Sequence, residues 1–170
     1  MDAEKASGTR KSINIVGGII GAAIGVYAGV NVLIPLGMTA AVWWAGKKLL
    51  SSSKQLYLPA IAVQTGHLLW LSVGLIYLGA FGLDLLDVII LIVGLTWLLL
   101  RPGLAPVLLL TVFQVLALAI NGVSFAEATI GTNPHKALFV HMVWRLMALF
   151  FMWHAYVQSR KAVRVETEAR

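Results

Sequence analysis

Between its charged residues the chain runs for long apolar stretches that carry no charge, from Ile13 to Gly46, Gln55 to Leu83, Val88 to Leu100, Pro102 to Ala126 and Leu146 to Ser159. A bilayer core about 30 Å thick asks for about 20 mostly apolar residues per helical span, and several of these runs meet that length. Composition agrees: 59% of residues are apolar and 12% are charged, against about 25% charged in a soluble domain. The chain therefore reads as an all-α, polytopic integral membrane bundle. In lipid the backbone has no water to bond to, so the helix persists even where helix formers are poor.

That persistence explains an otherwise costly pattern. Gly17, Gly21, Gly25 and Gly29 recur every fourth residue in "GGIIGAAIGVYAGV", although each interior glycine costs a water-exposed helix about 1 kcal/mol relative to alanine. Residues four apart share a face, so the glycines form a smooth stripe along which another helix can approach. A dinucleotide-binding turn is excluded by the spacing and because no acidic residue follows until Asp84. A phosphate-binding loop is excluded because Gly46 and Lys47 are followed by Lys48 rather than Ser or Thr. A signal peptide is not expected either, since the apolar run is too long and Asp2 and Glu4 precede it. With no cysteine there are no disulfides or thiolate sites.

From Tyr57 onward four spans are expected. The first runs to Phe81, with a turn at Gly82, and the second from Leu83 to Leu100. "RPG" at Arg101 to Gly103 breaks the chain, and the third span follows to about Asn121. In the polar loop after it, Ser124 and Glu127 have capping-box spacing and predict a short surface helix. Asn133-Pro134 opens the last span, from about Lys136 to Ser159.

The first run, 34 uncharged residues, would make a helix of about 51 Å, too long for one upright crossing. It is either a single span to about Ile34 followed by an interfacial helix from Leu36 to Leu50, or a hairpin turning at "NVLIPLG". The second is preferred because "LGMTAAVWWAG" lacks the charged face of an interfacial helix. Cytoplasmic loops favour Lys and Arg. A hairpin with the N-terminus inside places Lys5, Arg10, Lys11, Lys47, Lys48, Lys54, Arg101, Arg160, Lys161, Arg164 and Arg170 on the cytoplasmic side and Lys136 outside. Trp43 and Trp44, Trp97 and Tyr156 lie at the proposed cytoplasmic ends, where aromatic rings anchor; Trp70 and Trp144 lie deep and read as packing residues.

The expected organisation is a cytoplasmic tail (1–12), a glycine-zipper membrane hairpin (13–50), a four-span bundle (55–160) and a disordered cytoplasmic tail (161–170), giving five or six membrane segments in a plasma or inner membrane. The net charge of +6 is spread over juxtamembrane positions and fits anionic lipid head groups rather than nucleic acid.

Polar groups inside a bilayer are functional candidates. Asp87, His141 and Arg145 are expected to form an intramembrane cluster: Arg145 needs a partner, His141 lies four residues earlier on its face, and Asp87 sits at a similar depth. Gln64, His67, Gln114 and His154 are secondary candidates. His67 is expected to miss both His141, nearer the outside, and His154, nearer the cytoplasm, so no bis-histidine haem is expected. The scattered histidines likewise suggest no metal site, and no nucleophilic set is legible. The sequence thus points to no cofactor and offers no support for catalysis, though it leaves an enzyme open. It points to a non-enzymatic accessory or assembly subunit, self-associated or joined to another membrane protein. The alternatives are a small oligomeric transporter or channel using the Asp87, His141 and Arg145 site, and a membrane-embedded redox protein.

Overall fold

A computed structural model of the chain describes residues 30–78 and 83–168. Gly17, Gly21, Gly25 and Gly29, and with them the first limb of the expected hairpin, lie outside the described residues. Within those described the chain is wholly helical, with α1 (Val30–Leu49), α2 (Ser52–Gln55), α3 (Leu58–Leu78), α4 (Leu83–Leu100), α5 (Leu104–Glu127) and α6 (Asn133–Glu168). Three helices, α3, α5 and α6, are long and apolar enough to cross a membrane, and α4 holds a shorter apolar stretch, Leu85–Leu100. The chain is on this evidence membrane-embedded.

Helices α3, α4, α5 and α6 pack in a ring, each against the next and α6 back against α3, while α1 lies along α3 and touches α6. Short connections between consecutive helices enforce neighbours of this kind. Leu91 and Leu98 of α4, Val107, Leu110 and Phe113 of α5, and Met152 and Ala155 of α6 meet Ala60 and Ile61 of α3 in the main core. Val32 of α1 packs with Val63 of α3 and Val140, Trp144 and Ala148 of α6 in a second cluster. Trp144 also donates its indole N–H to Thr39 Oγ1 at 3.4 Å, so this deep ring both packs and ties α1 to α6.

Three boundaries differ from the sequence reading. The turn expected within Asn31–Gly37 is helical instead, because α1 runs on through Pro35. Pro35 lacks only the N–H that would reach the Asn31 carbonyl, one bond in the first described turn, and membrane helices tolerate such a loss. Separate interfacial and spanning pieces divided at Ile34 are excluded for the same reason. The capping box at Ser124 is not used as a helix start, since α5 continues to Glu127 and the Ser124 carbonyl accepts the Ala128 N–H at 3.0 Å. Nothing before Ser124 breaks the helix, so its side chain has no open N-terminus to cap. The chain turns only after that, at Gly131, whose φ of 83° is the left-handed region that glycine enters without penalty. The tail expected to be disordered from Lys161 is helical to Glu168, because extending an existing helix through residues such as Ala162 and Arg164 needs no new nucleus.

The α1–α2 corner is closed by Gln55, whose side-chain amide donates to the Leu50 carbonyl at 3.0 Å and lies 3.3 Å and 3.4 Å from those of Lys47 and Gly46. These carbonyls lie at the C-terminal end of α1, where a helix leaves its last acceptors without intrahelical partners; that of Gly46 also accepts the Leu50 N–H at 3.0 Å. On that turn Lys47 Nζ stands 5.5 Å from the Trp43 ring centroid and Lys48 Nζ 3.8 Å from that of Trp44.

Helices α1 and α3 approach closely at Gly66, where an added Cβ would stand 2.8 Å from the Thr39 backbone nitrogen and 2.9 Å from its Cα. Backbone cannot swing aside as a side chain can. Gly66→Ala should therefore lower the thermal unfolding midpoint in mild detergent by the equivalent of about 1–3 kcal/mol. Gly37→Ala should leave it unchanged or slightly raised, since a Cβ at Gly37 meets nothing within 4 Å. Equal midpoints for the two variants would show that α1 can leave α3 freely.

Candidate functional site: a polar chain across the bundle

Each of the four ring helices contributes one polar side chain to a series joined end to end across the interior. Arg145 of α6 is 1% exposed, and its Nη2 donates to Asp87 Oδ2 of α4 at 2.6 Å. Its Nη1 donates to Gln114 Oε1 of α5 at 2.9 Å. The Gln114 amide in turn donates to Gln64 Oε1 of α3 at 3.4 Å, and the Gln64 amide reaches Met152 Sδ of α6 at 3.6 Å. The Phe113 ring covers the guanidinium, 5.4 Å from its Cζ, adding an aromatic face that favours a cation.

The order of partners follows from chemistry. A guanidinium offers donors only and a carboxylate accepts only, so Arg145 takes Asp87 and the Gln114 carbonyl. The glutamines carry both a donor and an acceptor, which lets them relay the chain to α3. Gln64 and Gln114 are fully buried, whereas the Asp87 side chain is 26% exposed, so the chain emerges from the bundle only at its acidic end.

His141 does not join this chain. Its Nδ1 lies 2.8 Å from Nε2 of His67, and its ring stacks on Trp70 with centroids 4.2 Å apart. The sequence reading had these histidines at different depths, and the contact corrects it. With 36 residues, α6 is about 54 Å long, far more than the apolar core, so counting from its start does not measure depth. The two nitrogens share one hydrogen in a direct bond. His67 is itself 1% exposed, and its Nδ1 has no hydrogen-bond partner.

His154 stands apart on the outer face of α6, its ring 6.0 Å from that of Phe150. Among the described residues no group of three or more His, Asp or Glu is placed to hold a metal ion. The cluster expected from the sequence thus divides in two: Arg145 with Asp87, and His141 with His67. Gln114 was legible as a buried polar residue, but its bridging position was not, because nothing local says which helix faces α6.

Breaking a buried ion pair by removing one partner costs about 3–5 kcal/mol, because the other charge is left without compensation. Asp87→Asn, which strands the buried guanidinium, should therefore destabilise more than Arg145→Gln, which strands a carboxylate that is partly exposed. Replacing both, Arg145→Met with Asp87→Leu, should recover most of the loss. Thermal unfolding in detergent checks the order, and equal, small effects of the two single changes would mean that the pair does not hold the bundle. Neither family models, nor curated proteins, nor solved structures offer a match to this chain, so its function is argued from this arrangement.

Proposed function

We propose that the protein is a multi-pass, non-enzymatic subunit of a larger membrane assembly, with four spans behind a glycine-striped N-terminal segment and both termini on the cytoplasmic side. The observation that carries this reading is that four interior polar groups are spent on one another. Asp87, Arg145, Gln114 and Gln64, one from each ring helix, are linked in a single series, an arrangement suited to fixing helix order and register. Transmembrane hydrogen bonds between helices are worth up to about 1–2 kcal/mol each, and a buried charge pair specifies one partner geometry even where its net stabilisation is small. The glycine stripe supplies the close-packing face such a subunit needs, toward its own helices or toward a neighbour.

A second reading, transport of protons or of an anion, is favoured by two observations. His67 Nδ1 is buried without a partner, and the polar chain is reachable at Asp87. Ionisable groups within spans commonly mark such paths.

The readings separate experimentally. Tagged protein isolated from native membranes should carry a stoichiometric partner, whereas a pure homo-oligomer whose melting point rises with a specific solute would favour transport. Reversing the pair, Asp87→Arg with Arg145→Asp, should restore folding under the structural reading and leave a transporter inactive. Gly21→Leu with Gly25→Leu should shift the solubilised protein to smaller assemblies if the stripe joins chains. Single cysteines at positions 5 and 136, labelled by an impermeant reagent from outside, should react only at 136.

A further inference from the structure

We propose that the outer face of α6 between Leu149 and Arg164 binds one anionic phospholipid, its phosphate at Arg160, Lys161 and Arg164 and an acyl chain along Phe150, Trp153 and Val157. The inference rests on the membrane reading of the chain and is independent of the subunit role. Two shallow clefts lie end to end on this face. One, of about 480 Å³, is lined by Leu149, Phe150, Trp153, His154 and Val157. The other, of about 510 Å³, is lined by Tyr156, Val157, Arg160, Lys161 and Arg164. They share Val157, so the face changes from apolar to cationic within one helical turn.

That change has the polarity and scale of a lipid. From Phe150 to Arg160 the helix rises about 15 Å, half of an apolar core about 30 Å thick. Phe150 and Val157 are exposed in the structure, as a lipid-facing surface requires.

Two nearby hydroxyls are engaged elsewhere: Ser159 donates to the Tyr156 carbonyl at 2.7 Å, which leaves it to accept from the Tyr57 hydroxyl at 3.0 Å. The cationic groups of this cleft are the three basic side chains, beside the Tyr156 ring that lines it with them, so recognition depends on the negative charge of the head group. Arg160 also borders a cleft with Tyr57, Pro102 and Gly103, which places its guanidinium where α6 meets the α4–α5 turn.

The test is lipid retention by the full chain in mild detergent, counted by native mass spectrometry with phosphatidylglycerol and phosphatidylcholine of identical acyl chains. Wild-type protein should retain one phosphatidylglycerol in preference to phosphatidylcholine. Each basic residue near an anionic head group is worth roughly fivefold in affinity, so Arg160→Gln, Lys161→Gln and Arg164→Gln together should weaken retention about a hundredfold. Lys47→Gln with Lys48→Gln, at another helix end, should leave it unchanged. Equal retention of the two lipids, or undiminished phosphatidylglycerol on the triple variant, overturns the proposal. So does displacement of the lipid by millimolar inorganic phosphate, which would mark a site for free anions. Protein that stays monodisperse without detergent would instead defeat the membrane reading itself.

Discussion

A guanidinium that cannot reach water governs the interior of this protein. An arginine at the centre of a span costs about 2.5–3.5 kcal/mol on insertion scales, and Arg145 is almost wholly enclosed. Its charge is tolerable only where a carboxylate and a further acceptor arrive together. Asp87 and Gln114 come from two different helices, so α4 and α5 must both face α6. Once they do, the ring closes through α3, because Gln114 has one amide left to place and Gln64 accepts it.

Apolar contact alone would not select this order. Lipid tails are as apolar as leucine, so a membrane bundle lacks the hydrophobic drive that collapses a soluble core, and it depends on close packing and on polar contacts between helices. The structure uses both. The glutamine and arginine chain sets which helices are neighbours, and Gly66 lets α1 seat against α3 at backbone distance. Trp144 then couples that outer helix to α6 through Thr39.

The two histidines occupy a different niche from the charged pair although His141 and Arg145 are one turn apart on α6. Stacking on Trp70 turns the His141 ring toward α3, where His67 meets it. A neutral imidazole pair can share a proton in an enclosed site without burying net charge, whereas Arg145 needs an anion. The bundle therefore keeps its histidine pair apart from the chain that holds the charges.

The sequence by itself determined the environment and the helical elements. Uncharged runs of this length have no stable home in water, and Arg101 to Gly103 and Asn133-Pro134 interrupt the helix by local backbone chemistry, so those breaks were legible, whereas the turn at Gly131 was not. It also identified Arg145 and Asp87 as groups needing partners, because the cost of a charge in lipid depends little on context. Depth and facing were decided only by tertiary structure. His67 and His141 meet, Gln114 bridges Arg145 to Gln64, and Pro35 stays within a continuous α1, because each depends on how whole helices cross and on which face a neighbour covers. Periodicity within one helix names a face; it carries no information on which helix lies opposite.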